Sequence, residues 1–174
     1  MYNFYPYGYQ AAPFQANNTM YQTSSVRNMD FNTPYLPILG KQSINQLDKN
    51  IYKSIVDEAT AADFYSRLLK EAPNELHREF IKHAYDDELK HFQAFSKLYK
   101  HFTGKVLQYQ IKPVQYPNYK TGILMAIKDE LEAAEFYRDM KLSSSDQLVK
   151  DTFFFAMVDE LEHSTRFSVL YNTL

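Results

Sequence analysis

From residue 43 onward, apolar positions recur in alternating steps of three and four, the spacing of one face of an α-helix. One run reads Ile51, Ile55, Glu58, Ala62, Tyr65, Leu69, and a second reads Ile81, Ala84, Glu88, His91, Phe95, Leu98, Phe102. A third reads Ile123, Ile127, Glu130, Ala134, Tyr137, and a fourth Phe153, Ala156, Glu160, His163, Phe167, Leu170, Leu174. The intervening residues punctuate four helices. Ser43-Ile44-Asn45-Gln46 has the form of a capping box opening the first. Ala72-Pro73-Asn74 ends it and starts the second, which runs to Gly104, a natural C-terminal stop. The stretch from Lys105 to Tyr119 carries Pro113 and Pro117 and reads as a long connection. The third helix runs from about Tyr119 to Lys141. Ser143-Ser144-Ser145-Asp146 is a short loop, in which Ser144 with Gln147 offers a second capping box. Short, long and short connections describe two helical hairpins joined by a crossover, an all-α four-helix bundle over residues 43–174.

The hairpins are copies of one another. A shift of 72 residues aligns Ile51–Phe102 with Ile123–Leu174 without a gap, and 18 of the 52 pairs are identical. Among them are Asp57/Asp129, Glu58/Glu130, Phe64/Phe136 and Tyr65/Tyr137. Asp87-Glu88-Leu89-Lys90-His91 likewise matches Asp159-Glu160-Leu161-Glu162-His163. Duplication of a hairpin explains the match and predicts a pseudo-two-fold axis with equivalent residues facing across it.

Each stripe carries a glutamate in the middle of its apolar run. A charged residue on a helix ordinarily lies on the solvated face, but the phase here turns all four glutamates inward. Four unpaired carboxylates in a core would cost several kcal/mol apiece, and no Arg or Lys occupies the stripes at that level. Two divalent cations would balance four carboxylates and leave the imidazoles of His91 and His163 neutral. Two alternatives stay open: protonated acids, or a relic site that no longer takes metal. A lone Glu-x-x-His pair would say little; two of them on core faces, with two further inward glutamates, say more. Carboxylate oxygens with one imidazole per ion suit iron or manganese, and zinc would also bind.

Other chemistry is bounded by composition. At 174 residues the chain is long enough for one domain with a proper core. A formal net charge of −2 gives no footprint for nucleic acid or an anionic membrane. Without cysteine there are no disulfides, thiolate zinc sites, iron–sulfur clusters or cysteine nucleophiles. Met1-Tyr2-Asn3-Phe4 does not open a secretory signal, and no run of about 18 uncharged apolar residues spans a membrane. A cytoplasmic location is the expectation. Residues 1–42 differ from the rest: up to residue 40 they hold six tyrosines, four prolines and only Arg27 and Asp30 as charges. This segment reads as an extended arm, packed on its own domain or acting as an adhesive assembly tail.

Over residues 43–174 the pattern resembles the ferritin-like di-iron carboxylate proteins, in which two helices give one Glu each and two give a Glu-x-x-His. Within that group it looks closest to rubrerythrin-like domains. The resemblance implies a ferritin-like bundle holding two iron ions on Glu58, Glu88, His91, Glu130, Glu160 and His163, with Glu88 and Glu160 bridging. It implies that Asp87 and Asp159 accept the outer N–H of the ligand histidines, unless they are plain surface aspartates. Tyr65 and Tyr137, two turns beyond Glu58 and Glu130, are placed to bond ligand carboxylates or relay electrons, or are ordinary core aromatics. Two departures bear on activity. Rubrerythrins carry a further glutamate where this chain has Ala133, and a cysteine-ligated rubredoxin module that is impossible here. Electrons would come from an external donor. His77, His83 and His101 fall off the stripes and read as surface residues.

Two functions compete at this stage. One is an oxidoreductase whose iron reacts with O₂ or peroxide as a ferroxidase or peroxidase. The other is a structural protein, because the Tyr-, Pro- and Asn-rich arm resembles bacterial spore coat proteins; there the metal site would be stabilising or vestigial. A homodimer, or coat assembly through the arm, is the expected association. Deleting residues 1–40 is expected to leave the far-ultraviolet helical signal intact; its collapse would make the arm part of the fold.

Overall fold

The computed structural model of the chain describes residues 44–174. The arm read over residues 1–42, and Ser43 with its capping box, lie outside the described residues. Four helices follow: α1 (Ile44–Glu71), α2 (Glu75–Thr103), α3 (Tyr119–Ser143) and α4 (Gln147–Asn172). Their ends are set by local chemistry. The Asn74 side chain accepts from His77 N at 3.1 Å and that of Asn118 from Thr121 N at 2.9 Å, each satisfying an orphan donor at a helix start. Gly104 ends α2 at φ 65°, a left-handed conformation glycine adopts without strain, and its N–H reaches Lys100 O.

The head of α4 differs from the capping box expected at Ser144. Ser144 sits in extended backbone closing α3, which runs to Ser143, and its Oγ accepts from Asp146 N. Asp146 is the cap instead, accepting from Val149 N at 3.1 Å. A carboxylate there also meets the positive end of the helix dipole, which a serine does not.

α1 packs along α2 and α3 along α4; α2 and α4 form a second broad seam, and α1 meets α3 only sparsely. The crossover, residues 104–118, runs up α1. Tyr52 Oη donates to Gln108 O near the start of that helix, Arg67 Nη2 to Val114 O, and Tyr116 Oη to Glu71 at its end. The chain therefore changes ends before α3 begins, so α3 runs antiparallel to α1. Gly122 permits the close approach: a Cβ there would lie 2.7 Å from Leu68 Cδ2 and 3.2 Å from the Tyr116 ring.

The core has two apolar clusters. Ile51, Ile55, Phe95, Tyr137 and Phe153 belong to one, and Tyr65, Leu68, Ile81, Ile123 and Phe167 to the other. Three stripe positions shift from the expected pattern. Leu68 is buried where Leu69 was expected, and Ala126 where Ile127 was; Leu69 and Ile127 pack half-buried against the same cluster, at the edge of the contact face. Leu174 is exposed, beyond the end of α4. No helix among the described residues is long and apolar enough to cross a membrane.

His77 is not a surface residue. It is 1 % exposed, and its ring bonds Tyr119 Oη at 2.8 Å and Thr173 Oγ1 at 2.9 Å. It stands four residues before Ile81, so it continues the α2 stripe by one turn, and its repeat mate is Val149, itself fully buried. Burial holds its ring below the usual histidine pKa, so the folded chain keeps it neutral while the unfolded chain protonates it below about pH 6.5. Stability from this residue is thus present at neutral pH and lost as pH falls. His77→Ala is expected to lose about 2 kcal/mol at pH 7.5 in denaturant titrations and less at pH 5; an equal loss at both values would refute the assignment.

Candidate metal centre

Between the two apolar clusters every helix contributes a polar side chain to one layer. Glu58 comes from α1, Glu88 and His91 from α2, Glu130 from α3, and Glu160 and His163 from α4. None is more than 3 % exposed. Three or four residues separate each glutamate from its neighbours on the stripe, so the same periodicity that builds the core aims these groups at the bundle axis.

The donors fall into two groups. Glu58, Glu88, His91 and Glu160 bring one ligand atom each to within 4.8 Å of one another, and so do Glu88, Glu130, Glu160 and His163. Glu88 and Glu160 belong to both. The imidazoles turn Nδ1 inward: His91 Nδ1 lies 3.2 Å from Glu160 Oε1 and 3.7 Å from Glu58 Oε2. His163 Nδ1 lies 3.1 Å from Glu160 Oε2, 3.4 Å from Glu88 Oε1 and 3.6 Å from Glu130 Oε1. Each Nε2 turns outward and donates to an aspartate on the other helix, His91 to Asp159 at 3.0 Å and His163 to Asp87 at 3.3 Å. Tyrosines hold the outer glutamates the same way, crosswise between hairpins. Tyr65 Oη donates to Glu130 Oε1 at 2.5 Å and Tyr137 Oη to Glu58 Oε1. All ten residues singled out in the sequence therefore meet at one place.

The layer is under-satisfied as it stands. Glu88 Oε1, Glu160 Oε1 and His91 Nδ1 are buried without a hydrogen bond, although buried polar atoms are almost always paired. A cation on these atoms would complete them, and the donor set fits divalent first-row metals.

Protons are what balance the charges otherwise. Burial, then the charges of Glu88 and Glu160, pushes Glu58 well above the carboxylate range. Burial, then Glu160 and Glu88, does the same to Glu130. Burial opposes ionisation of Glu160 too, but bonds from Glu130, His163 and His91 outweigh it and bring it down to about 2. Glu88 is lowered against burial and the Glu160 charge by bonds with Glu58, His163 and His91. Both histidines rise despite burial, His91 through Asp159 and Glu160, and His163 through Glu130 and Glu160. The inner glutamates, Glu88 and Glu160, are thus held toward the ionised form and the outer pair toward the neutral form, while both imidazoles are held toward the charged form.

A cavity of about 280 Å³ reaches this layer from the sparse α1–α3 seam. All four glutamates line it, with Phe64, Phe136 and Ala133 in its walls. Asp57, Asp129 and Glu132 line it beside Lys53, which pairs with Asp57 at 2.5 Å. Burial, then the charges of Glu132 and Asp57, raises Asp129. Sequence reading missed these residues as a group, although the Asp57/Asp129 identity pointed to them. His83, read as a surface residue, is 40 % exposed, and its ring lies 3.1 Å from Asp87 Oδ2, a contact the sequence did not indicate.

Because the outer carboxyls and both imidazoles are held toward their protonated forms, binding of two divalent cations is expected to release protons at pH 7, so affinity rises with pH. Calorimetry in buffers of different ionisation enthalpy reads that release. Binding without proton release would contradict the charge pattern.

The family model described as Rubrerythrin matches residues 49–171. "Uncharacterized protein YhjR" of Bacillus subtilis (strain 168) is 31 % identical over 121 residues, covering 70 % of this chain and 83 % of that protein. No solved structure gives a significant match. The family match spans all four helices and the whole buried layer, and the chain belongs to the rubrerythrin family.

Proposed function

We propose that this chain holds two metal ions, iron in the first instance, and uses them to reduce O₂ or peroxide or to oxidise Fe(II). The observation that carries the reading is the buried layer of four carboxylates and two imidazoles with three unpartnered donor atoms. Glu58 and His91 would hold one ion, Glu130 and His163 the other, and Glu88 and Glu160, which belong to both donor groups, would bridge them. All six donors are in place, which supports a working site over a relic.

A bound pair of Fe(II) ions supplies two electrons, the number that with two protons reduces hydrogen peroxide to two waters. The chain's residues supply the rest. Asp159 and Asp87 fix the ring orientation of His91 and His163 by accepting their Nε2–H groups, which also raises the basicity of Nδ1. Burial, then the charge of Glu130 on Tyr65 and of Glu58 on Tyr137, keeps both phenols protonated and donating. That orients the outer carboxylates before any ion arrives. The cavity admits a small oxidant and solvent protons to one side of the layer, while apolar clusters close it above and below. With no cysteine in the chain, the reductant that resets the site is an external donor.

Anaerobic Fe(II) loading is expected to give two irons per chain and a new near-ultraviolet band on admitting air. The double variant Glu88→Ala, Glu160→Ala is expected to lose both ions. Unchanged stoichiometry in that variant would remove the ligand assignment; two bound zinc ions with no affinity for iron or manganese would remove the redox reading.

A further inference from the structure

A second donor cluster lies on the α2–α4 seam, outside the buried layer. His83, Asp87, Glu162 and His163 bring donor atoms within 4.8 Å of one another. His83 Nε2 is 3.1 Å from Asp87 Oδ2 and 3.1 Å from Glu162 Oε2. Two ligands bound side by side at about 2.1 Å to one ion are themselves about 3 Å apart, so these spacings suit a shared cation as well as a hydrogen bond. Both carboxylates are already oriented. Lys90 Nζ holds Asp87 Oδ1 at 2.5 Å and Arg166 Nη2 holds Glu162 Oε1 at 2.5 Å. The other oxygen of each is left facing His83. Exposure falls along the cluster, from 44 % at Glu162 and 40 % at His83 to 9 % at Asp87.

The duplication supplies an internal control. The 72-residue shift pairs His83 with Phe155, Asp87 with Asp159, and Glu162 with Lys90. Where one half presents an imidazole and a second carboxylate, the other presents a phenyl ring and an ammonium. Phe155 packs edge-on against His91 with ring centroids 5.6 Å apart. The outer cluster is thus not a by-product of the symmetric inner site, because only one half carries it.

We propose that His83, Asp87 and Glu162 form a third, outer site for a divalent transition-metal cation. One imidazole and two carboxylates suit the same metals as the inner layer. Lys90 and Arg166 already offset the two carboxylate charges, so this ion is held more weakly than the inner pair and exchanges with solvent. It is also coupled to that pair. Asp87 Oδ2 accepts from His163 Nε2, so an ion on that oxygen competes for the bond that orients an inner donor.

Co(II) dialysed against the metal-free full-length chain tests this. Three equivalents are expected, the third the weakest. His83→Phe, which copies the other half of the molecule, and Glu162→Gln are each expected to weaken the third at least about tenfold and leave the first two. In the Glu88→Ala, Glu160→Ala chain the outer equivalent is expected to remain while the inner two vanish, so the two sites fail or hold separately. Wild-type binding that stops at two equivalents, or a third that survives in His83→Phe, overturns the proposal.

Discussion

The structure depends on how four carboxylates can be buried in one layer of an apolar bundle. Isolated ionised carboxylates in such a medium would neutralise or unfold the chain. Here they are matched by two imidazoles on the same helices and, where a cation binds, by its charge. Protons held on the imidazoles and on the outer carboxyls offset the buried charge in one case, and two divalent ions offset four carboxylates in the other. Metal uptake is then an exchange of protons for cations.

Duplication is an economical route to that balance. One hairpin supplies a lone glutamate and a Glu-x-x-His, and its copy supplies the other set. Cross-hairpin bonds then knit the halves: Tyr65 to Glu130, Tyr137 to Glu58, His91 to Asp159 and His163 to Asp87. The 72-residue shift carries the first bond of each pair into the second, Tyr65–Glu130 into Tyr137–Glu58 and His91–Asp159 into His163–Asp87, so one arrangement satisfies both halves. Departures from symmetry are local. His77 ties three chain segments at one end where its mate Val149 only fills space, and His83 stands where the other half has Phe155 edge-on to His91.

The two inter-hairpin seams do different things. α2 and α4 pack broadly, which keeps the Glu-x-x-His helices at fixed separation and places both aspartates against the opposing imidazoles. α1 and α3 barely touch, and the cavity opens there. The crossover strap explains how this is tolerated: it binds α1 at Tyr52, Arg67 and Glu71 and packs Tyr116 beside Gly122 of α3, bracing a seam that lacks its own packing. Ala133, with its small side chain, lines the opening.

The sequence by itself determined the helices, the duplication, and the identity and inward phase of Glu58, Glu88, His91, Glu130, Glu160 and His163. Those are local properties, written in the helical period and in residue type, and they survive without knowledge of which helix meets which. Even there the buried face is broader than a single row: Leu68 and Ala126 are fully covered, while Leu69 and Ile127 sit partly buried at its edge. Tertiary structure alone decided which atoms lack partners, that Tyr65 and Tyr137 bond across rather than within their hairpins, and that His77 is buried. It also decided that His83 and Glu162, 79 residues apart in the chain, share a donor cluster. Such contacts depend on the order and tilt of packed helices, and a one-dimensional pattern records the face a residue occupies but not the element it faces.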